Sequence, residues 1–234
     1  MPTTVVNPTK WALIGGVSSG TFSTARETGF NVFNNITLDQ SLAIKYSATS
    51  GRGSLTHNFG RTFYYFDLSS TPDLTNLTTA SLEINGYVNA DARVIIVSSS
   101  AFGGDGSSNA TTGEFFTSLD YNQPYSATTG QDWSTGTNTF ELDTSHVLTY
   151  LKSNPDAFIF ALIDRTNDYT NTASTVAVAN NEGIKFSDHA SGVELTLITP
   201  ATSDIDNING VAYNTNNRFN GVLFSDIGKI NGVE

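Results

Sequence analysis

The chain alternates short apolar runs, rich in β-branched and aromatic residues, with clusters of Gly, Asn, Asp and Ser. Runs of this length between turn-forming residues predict strands. The clearest are Ser41 to Ser47, Arg61 to Leu68, Ala80 to Val88, Ala92 to Ser98, Thr137 to Leu142, Ala157 to Ile163 and Val193 to Ile198. In Ser81-Leu82-Glu83-Ile84-Asn85, and again in Val193-Glu194-Leu195-Thr196-Leu197, apolar and polar positions alternate. That alternation marks a strand with one face on a core and one in water. Arg93 to Val97 and Phe158 to Ile163 are apolar nearly throughout, which predicts central strands covered on both faces. In Phe63-Tyr64-Tyr65-Phe66, successive side chains must face opposite sides, so one alternate pair is expected in the core and the other at an interface.

Helical spacing is confined to Thr144 through Lys152, where Val147, Leu148 and Leu151 share a side and Pro155 follows as a stop. The stretches Phe102 to Asn109 and Tyr121 to Gly136 read as long loops, where β scaffolds often carry binding residues. Trp133, Tyr121 and Tyr125 fall in the second loop. Exposed there beside Asn and Gln, these rings would suit stacking on a sugar or burial in a protein interface; folded back, they would cover the end of a sandwich.

After Pro200 the apolar runs give way to a segment rich in Asn and Gly. Asp204-Ile205-Asp206-Asn207-Ile208-Asn209-Gly210-Val211 recurs twenty-two residues later as Asp226-Ile227-Gly228-Lys229-Ile230-Asn231-Gly232-Val233. The apolar anchors are Ile205, Ile208 and Val211 in the first copy and Ile227, Ile230 and Val233 in the second, each set beside an Asn-Gly turn. Neither copy buries enough surface to fold alone, so the segment is expected to order by docking on its own domain or on a neighbour. The predicted organisation is N-terminal strands or an arm at 1–40, a sandwich at 41–199 and an assembly arm at 200–234.

Composition narrows the function. Charged residues make up only 14% of the 234 positions, so uncharged polar side chains must cover much of the surface, as in β-rich extracellular and virion proteins. A net charge of -11 with no basic cluster argues against a nucleic-acid partner. With no cysteine, neither disulfides nor thiolate metal sites can support the fold. The first eight residues lack the basic start and apolar run of a signal peptide, and no stretch approaches the roughly 18 apolar residues of a spanning helix, so membrane insertion is not expected.

The segment Arg61-Thr62-Phe63-Tyr64-Tyr65-Phe66-Asp67-Leu68-Ser69, followed by Leu77-Thr78-Thr79-Ala80-Ser81-Leu82-Glu83-Ile84, resembles the opening strands of the DNRLRE or disaggregatase-related family. Two later blocks follow in the family's order: Phe140 to Ser145 through Leu151 to Phe160, and Ile184 to Ala190 before Val193 to Leu197. The resemblance covers about residues 40 to 199 and implies a jelly-roll sandwich of a kind found in secreted polysaccharide-active proteins. Of that family's Trp-containing middle portion, Trp133 is the candidate match. The Ile-Asn-Gly-Val elements of the tail resemble those of tailed-phage virion proteins.

Catalytic readings find little support. His57, His146 and His189 lie in separate segments without paired-ligand spacing, and no serine sits in a G-x-S-x-G elbow. The carboxylates are too widely spread to nominate a glycosidase pair. Asp105 in its Gly-rich loop, and Asp164 with Asp168, offer oxygen ligands of the kind calcium takes, though the turn-forming habit of Asp explains them more simply. The sequence thus predicts a non-enzymatic, all-β protein without cofactor: a jelly-roll β-sandwich with one short helix and an extended C-terminal tail. Its expected partners are other virion proteins and copies of itself. The alternative is a secreted or surface carbohydrate-binding module with a glycan as its ligand.

Overall fold

The computed structural model describes residues 2–35, 44–51, 53–88, 93–184 and 191–200, with four two-residue strands at 207–208, 211–212, 218–219 and 222–223. In chain order the strands of the first 200 residues are β1 (Thr3–Val6), β2 (Lys10–Gly16), β3 (Gly29–Asn34), β4 (Ile44–Gly51), β5 (Ser54–Asp67), β6 (Thr79–Val88) and β7 (Arg93–Ser99). They continue as β8 (Leu119–Pro124), β9 (Gln131–Asp132), β10 (Gly136–Glu141), β11 (Ala157–Asp164), β12 (Val178–Ile184) and β13 (Val193–Ile198). Helices are α1 (Phe22–Glu27), α2 (Glu114–Thr117) and α3 (Thr144–Ser153).

These elements form an all-β antiparallel sandwich. The larger layer is built on the long strand β5. Its residues 54–60 pair with β4 and its residues 62–67 with β11, while β2 pairs with residues 60–65. Beyond these lie β12 on β4, β3 on β2, and β7 on β11 followed by β8 and β9. The smaller layer has β6 between β10 and β13, with β1 outermost on β13. Strand β12 belongs to both: Val178 to Glu182 pair with β4, then a register shift at Gly183 and Ile184 carries the strand onto β6.

The two all-apolar runs predicted as central strands are β7 and β11, and both are buried along almost their whole length. Facing the smaller sheet, Tyr64, Phe66, Phe158, Phe160 and Leu162 pack with Leu82, Ile84, Phe140, Leu195 and Leu197. Each large apolar side chain fully withdrawn from water there contributes about 1.5–3 kcal/mol. Phe63 and Tyr65 point the other way, yet they form no open interface. They join a second core with Ile95, Val97, Ile159 and Ile163, covered by Ala25 of α1, Phe102 and Phe115 of α2. Both alternate pairs of the strand are therefore core, because irregular segments roof the sheet on the side away from the second sheet.

Helix α3 lies where its spacing predicts. The Asp143 carboxylate accepts from the Ser145 and His146 amides and satisfies donors that a helix start leaves open, while Val147 and Leu151 face the core. The expected single helix is joined by α1 and α2, of six and four residues, too short to leave a helical period in the sequence. Residues 2–34 of the predicted N-terminal segment form strands and a helix within the sandwich. Chain contacts divide the molecule into two units, Met1–Pro200 and Ala201–Glu234.

Candidate interaction surfaces

The structure places two of the three loop aromatics inside. Tyr125 is 0% and Trp133 3% exposed, so neither presents a face to a sugar or partner. The loop folds back because Tyr125 packs at a tilt on Phe158 and edge-on against Tyr150 and donates its hydroxyl to Ser98 Oγ at 3.0 Å. Trp133 packs on Phe140, and its Nε1 has no hydrogen-bond partner among the described residues. Tyr121 is half-buried, with its hydroxyl donated to Asp168 Oδ1 at 3.1 Å.

That bond belongs to a buried charge cluster. Asp168 Oδ2 accepts from Arg61 Nε at 2.6 Å, and Oδ1 accepts from Arg61 Nη2 at 2.8 Å and Arg26 Nε at 3.1 Å. Arg61 also donates to the carbonyls of Arg26, at 2.8 Å, and of Phe115. Those carbonyls stand in the last turns of α1 and α2, where a helix leaves acceptors unpaired. Phe115 lies 4.0 Å from the Arg61 guanidinium carbon and Tyr121 4.5 Å from that of Arg26. Burial opposes the charge on Arg61, but the neighbouring Asp168 outweighs it, and the guanidinium holds its proton more tightly than usual. Four hydrogen bonds from one arginine thereby tie two short helices and a turn to the sheet. This arrangement is fully satisfied and builds structure.

The candidate calcium carboxylates have protein partners too. Asp105 accepts from the Ser107 amide, and Asp164 accepts from the amides of Asn167 and Asp168 at the start of the turn Arg165–Tyr169. No group of three potential metal-binding side chains occurs among the described residues. Of the histidines, His57 is buried with Nδ1 3.0 Å from the Tyr46 hydroxyl, and His146 Nδ1 lies 2.7 Å from the Pro124 carbonyl. His189 lies outside the described residues.

An open surface that the sequence did not reveal lies on the larger sheet. Across four adjacent strands the register runs Asn31, Gly15, Gly60, Lys45. Register partners share a face, so the two glycines leave bare backbone between an amide and an ammonium side chain. A Cβ at Gly15 would meet nothing within 4 Å. Leu13 and Phe33 form the next row, and with Phe30 and Asn58 they border an open cleft of about 540 Å³. Phe30 is 66% and Phe33 47% exposed, unusual for rings of that size. The apolar spacing of Phe30, Val32 and Phe33 was a usable signal for a strand, but only the register brings Gly15, Gly60 and Lys45 together.

In the tail, β14 (Asn207–Ile208) pairs with β15 (Val211–Ala212), and β16 (Arg218–Phe219) with β17 (Val222–Leu223). Ile208 and Val211 are thus register partners. The other predicted anchors, Ile205, Ile227, Ile230 and Val233, lie outside the described residues. No family model matches the chain, and no curated protein is similar to it.

Proposed function

We propose that the chain is a structural component of a tailed-phage virion, a capsid-decorating, neck or tail protein, acting through protein–protein assembly with residues 201–234 as the arm. The observation that carries this reading is the build of the arm. It is a unit apart from the sandwich, and its described parts are ribbons of two residues per strand. Ribbons of that size do not hold themselves together in water, so such a segment gains its order on a partner. The Ile-Asn-Gly-Val resemblance supports a virion as the setting, where many copies on one particle multiply weak contacts into firm attachment. The buried charges fit a structural role, since Arg61 and Asp168 satisfy one another and neighbouring backbone.

The test is a chain ending at Pro200. The sandwich is expected to keep its β-sheet circular dichroism and to lose co-sedimentation with particles. Equal loading of the truncated chain onto particles would overturn the reading.

The Gly15–Gly60 cleft favours a second function, glycan binding, because exposed rings beside two amides and a lysine suit the faces and hydroxyls of a sugar. Phe30→Ala and Phe33→Ala should then shorten retention on a polysaccharide gel while leaving the fold intact. Retention unchanged in both variants would remove the cleft from consideration.

A further inference from the structure

Nothing in the fold requires a glycine at position 15. The residue stands in the interior of β2, where glycine costs conformational entropy and leaves nothing to pack. Its φ lies outside the positive range that favours glycine, and a Cβ there would meet nothing within 4 Å. The register shift beside it is served by Gly16, where a Cβ would come within 2.5 Å of the Ala25 carbonyl oxygen. Its register partner Gly60 is tighter, with Lys45 Cβ 3.2 Å from where a Cβ would stand. A missing side chain that the fold does not demand, in the floor of an open cleft, is what the close approach of another molecule demands.

The cleft is open because the larger sheet outruns the smaller one. Trp11 and Tyr64, four residues along from Gly15 and Gly60, share their face and pack on the core between the sheets. Among the described residues, none that borders the cleft belongs to the smaller sheet. The row Asn31, Gly15, Gly60, Lys45 crosses four strands, a span of about 14 Å at about 4.8 Å per strand spacing. Bare peptide planes form its middle, with a carboxamide at one end and an ammonium group at the other. Leu13 and Phe33 stand along one side; along the other stand Phe30 and Asn58, whose Nδ2 is held on Ser18 Oγ at 2.8 Å. Beyond Asn31, β3 has no further strand beside it among the described residues, so a polymer can run on past the edge.

These surfaces select their ligand. The rings and bare peptide planes give flat, uncharged contact, and the amides and ammonium donate to hydroxyls. Lys45 is the one charged side chain among the described residues of the lining. A polysaccharide with an acid on every sugar would set its other charges against Leu13, Phe30 and Phe33, and would approach a chain whose net charge is -11. A branch on the side toward the floor would strike the peptide planes. We propose that the cleft binds a neutral, unbranched polysaccharide whose rings lie flat over Gly15 and Gly60, with Asn31 and Lys45 donating to hydroxyls at either end. The inference rests on the glycan reading of the cleft and adds to it the class of glycan and the residue that admits it. A larger side chain at position 15 fills the space that the sugar takes.

The experiment is affinity electrophoresis of the full-length chain through native gels holding one of two polymers. The first is a soluble mixed-linkage β-glucan, neutral and unbranched, with C–H groups on both faces of its rings; the second is polygalacturonate, with a carboxylate on every ring. The β-glucan retards the chain equally at low and high salt, and polygalacturonate does not. Gly15→Val, whose side chain suits a strand and projects into open space, keeps the circular dichroism and unfolding midpoint of the parent. It raises the dissociation constant for the β-glucan about tenfold or more, and Gly15→Thr, of the same shape, does likewise. Retardation by the β-glucan that survives in both variants but is lost in Phe30→Ala and Phe33→Ala overturns the glycine floor and leaves the glycan reading standing. Retardation by polygalacturonate alone, weakened by salt, overturns the neutral class and again leaves that reading standing. A chain retarded by neither polymer overturns the inference and the glycan reading together.

Discussion

The two faces of the larger sheet are buried by different means. Toward the second sheet, a regular row of apolar side chains meets another regular row, and the backbone of both layers is already paired within its own ladder. On the opposite face the cover consists of α1, α2, the turn at Phe102–Gly104 and the turn at Arg165–Tyr169. Short helices and turns carry unpaired carbonyls wherever they go. That face therefore needs polar groups inside it, and Arg61 with Asp168 supplies them. A sheet roofed by a sheet can be purely apolar, whereas one roofed by irregular chain must bury donors and acceptors with its rings.

The largest expected effect breaks the irregular side. Asp168→Ala leaves Arg61 and Arg26 buried without their anion and is expected to cost about 3–5 kcal/mol in urea unfolding. Replacing Arg61 and Asp168 together by Met and Leu should recover only part of that loss, since the Arg26 and Phe115 carbonyls would still lack a donor. Full recovery would mean that the charge pair, and not the carbonyls, dictates the cluster. On the apolar side, Leu82→Ala should cost about 2–5 kcal/mol, but Leu82→Met less than about 1.5, because that core asks only for volume. Arg61→Lys, equally conservative in charge, should be far less tolerated, since a lysine cannot fork to Asp168 and two carbonyls at once. Similar losses for Leu82→Met and Arg61→Lys would erase the distinction between the faces.

Smaller effects sharpen it. Asp143→Ala removes the cap of α3 at the edge of the apolar core and should cost about 1 kcal/mol by thermal unfolding. Least is expected from His57 on the irregular side. The Tyr46 hydroxyl oxygen accepts from the Ser174 amide and lies 3.0 Å from His57 Nδ1, and burial lowers the imidazole pKa. With the folded pKa below the unfolded one, the unfolded chain takes up the proton first. This contribution is thus complete above about pH 6.5 and declines as pH falls through that value toward the folded pKa. His57→Gln should flatten the slope of stability between pH 7 and about pH 5, a range above the titration of ordinary carboxylates. An unchanged slope would exclude His57 as its source.

What the sequence disclosed follows the same division. Strands β7 and β11 were legible because a strand covered on both faces is apolar at every position, and α3 because Val147, Leu148 and Leu151 share a side and Pro155 follows as a stop. The roof was not legible. Helices of four and six residues leave no period, and Tyr121 to Gly136 reads as a loop although Tyr121 to Pro124 belong to β8, which pairs with β7. For Tyr125 and Trp133 the sequence left both an exposed and a folded-back position open, because turn-forming neighbours suit either, and the loop turns these rings inward. Arg61 and Asp168, 107 residues apart, could not be matched from spacing. The cleft needed the register of β2, β3, β4 and β5, which no single segment contains.

The root of the arm has a mechanical consequence. Residues 199 and 200 continue directly from β13, which is laced to β6 along residues 193–198 and to β1 along residues 195–198. Tension drawn along the strand loads both ladders in shear, so many hydrogen bonds share it. Tension drawn sideways between Pro2 and Thr199, whose carbonyl and amide are bonded at 3.2 Å, opens β1 from its end one pair at a time. The sandwich is anisotropic under load, stiff along the direction in which β13 leaves it and soft across its outer strand.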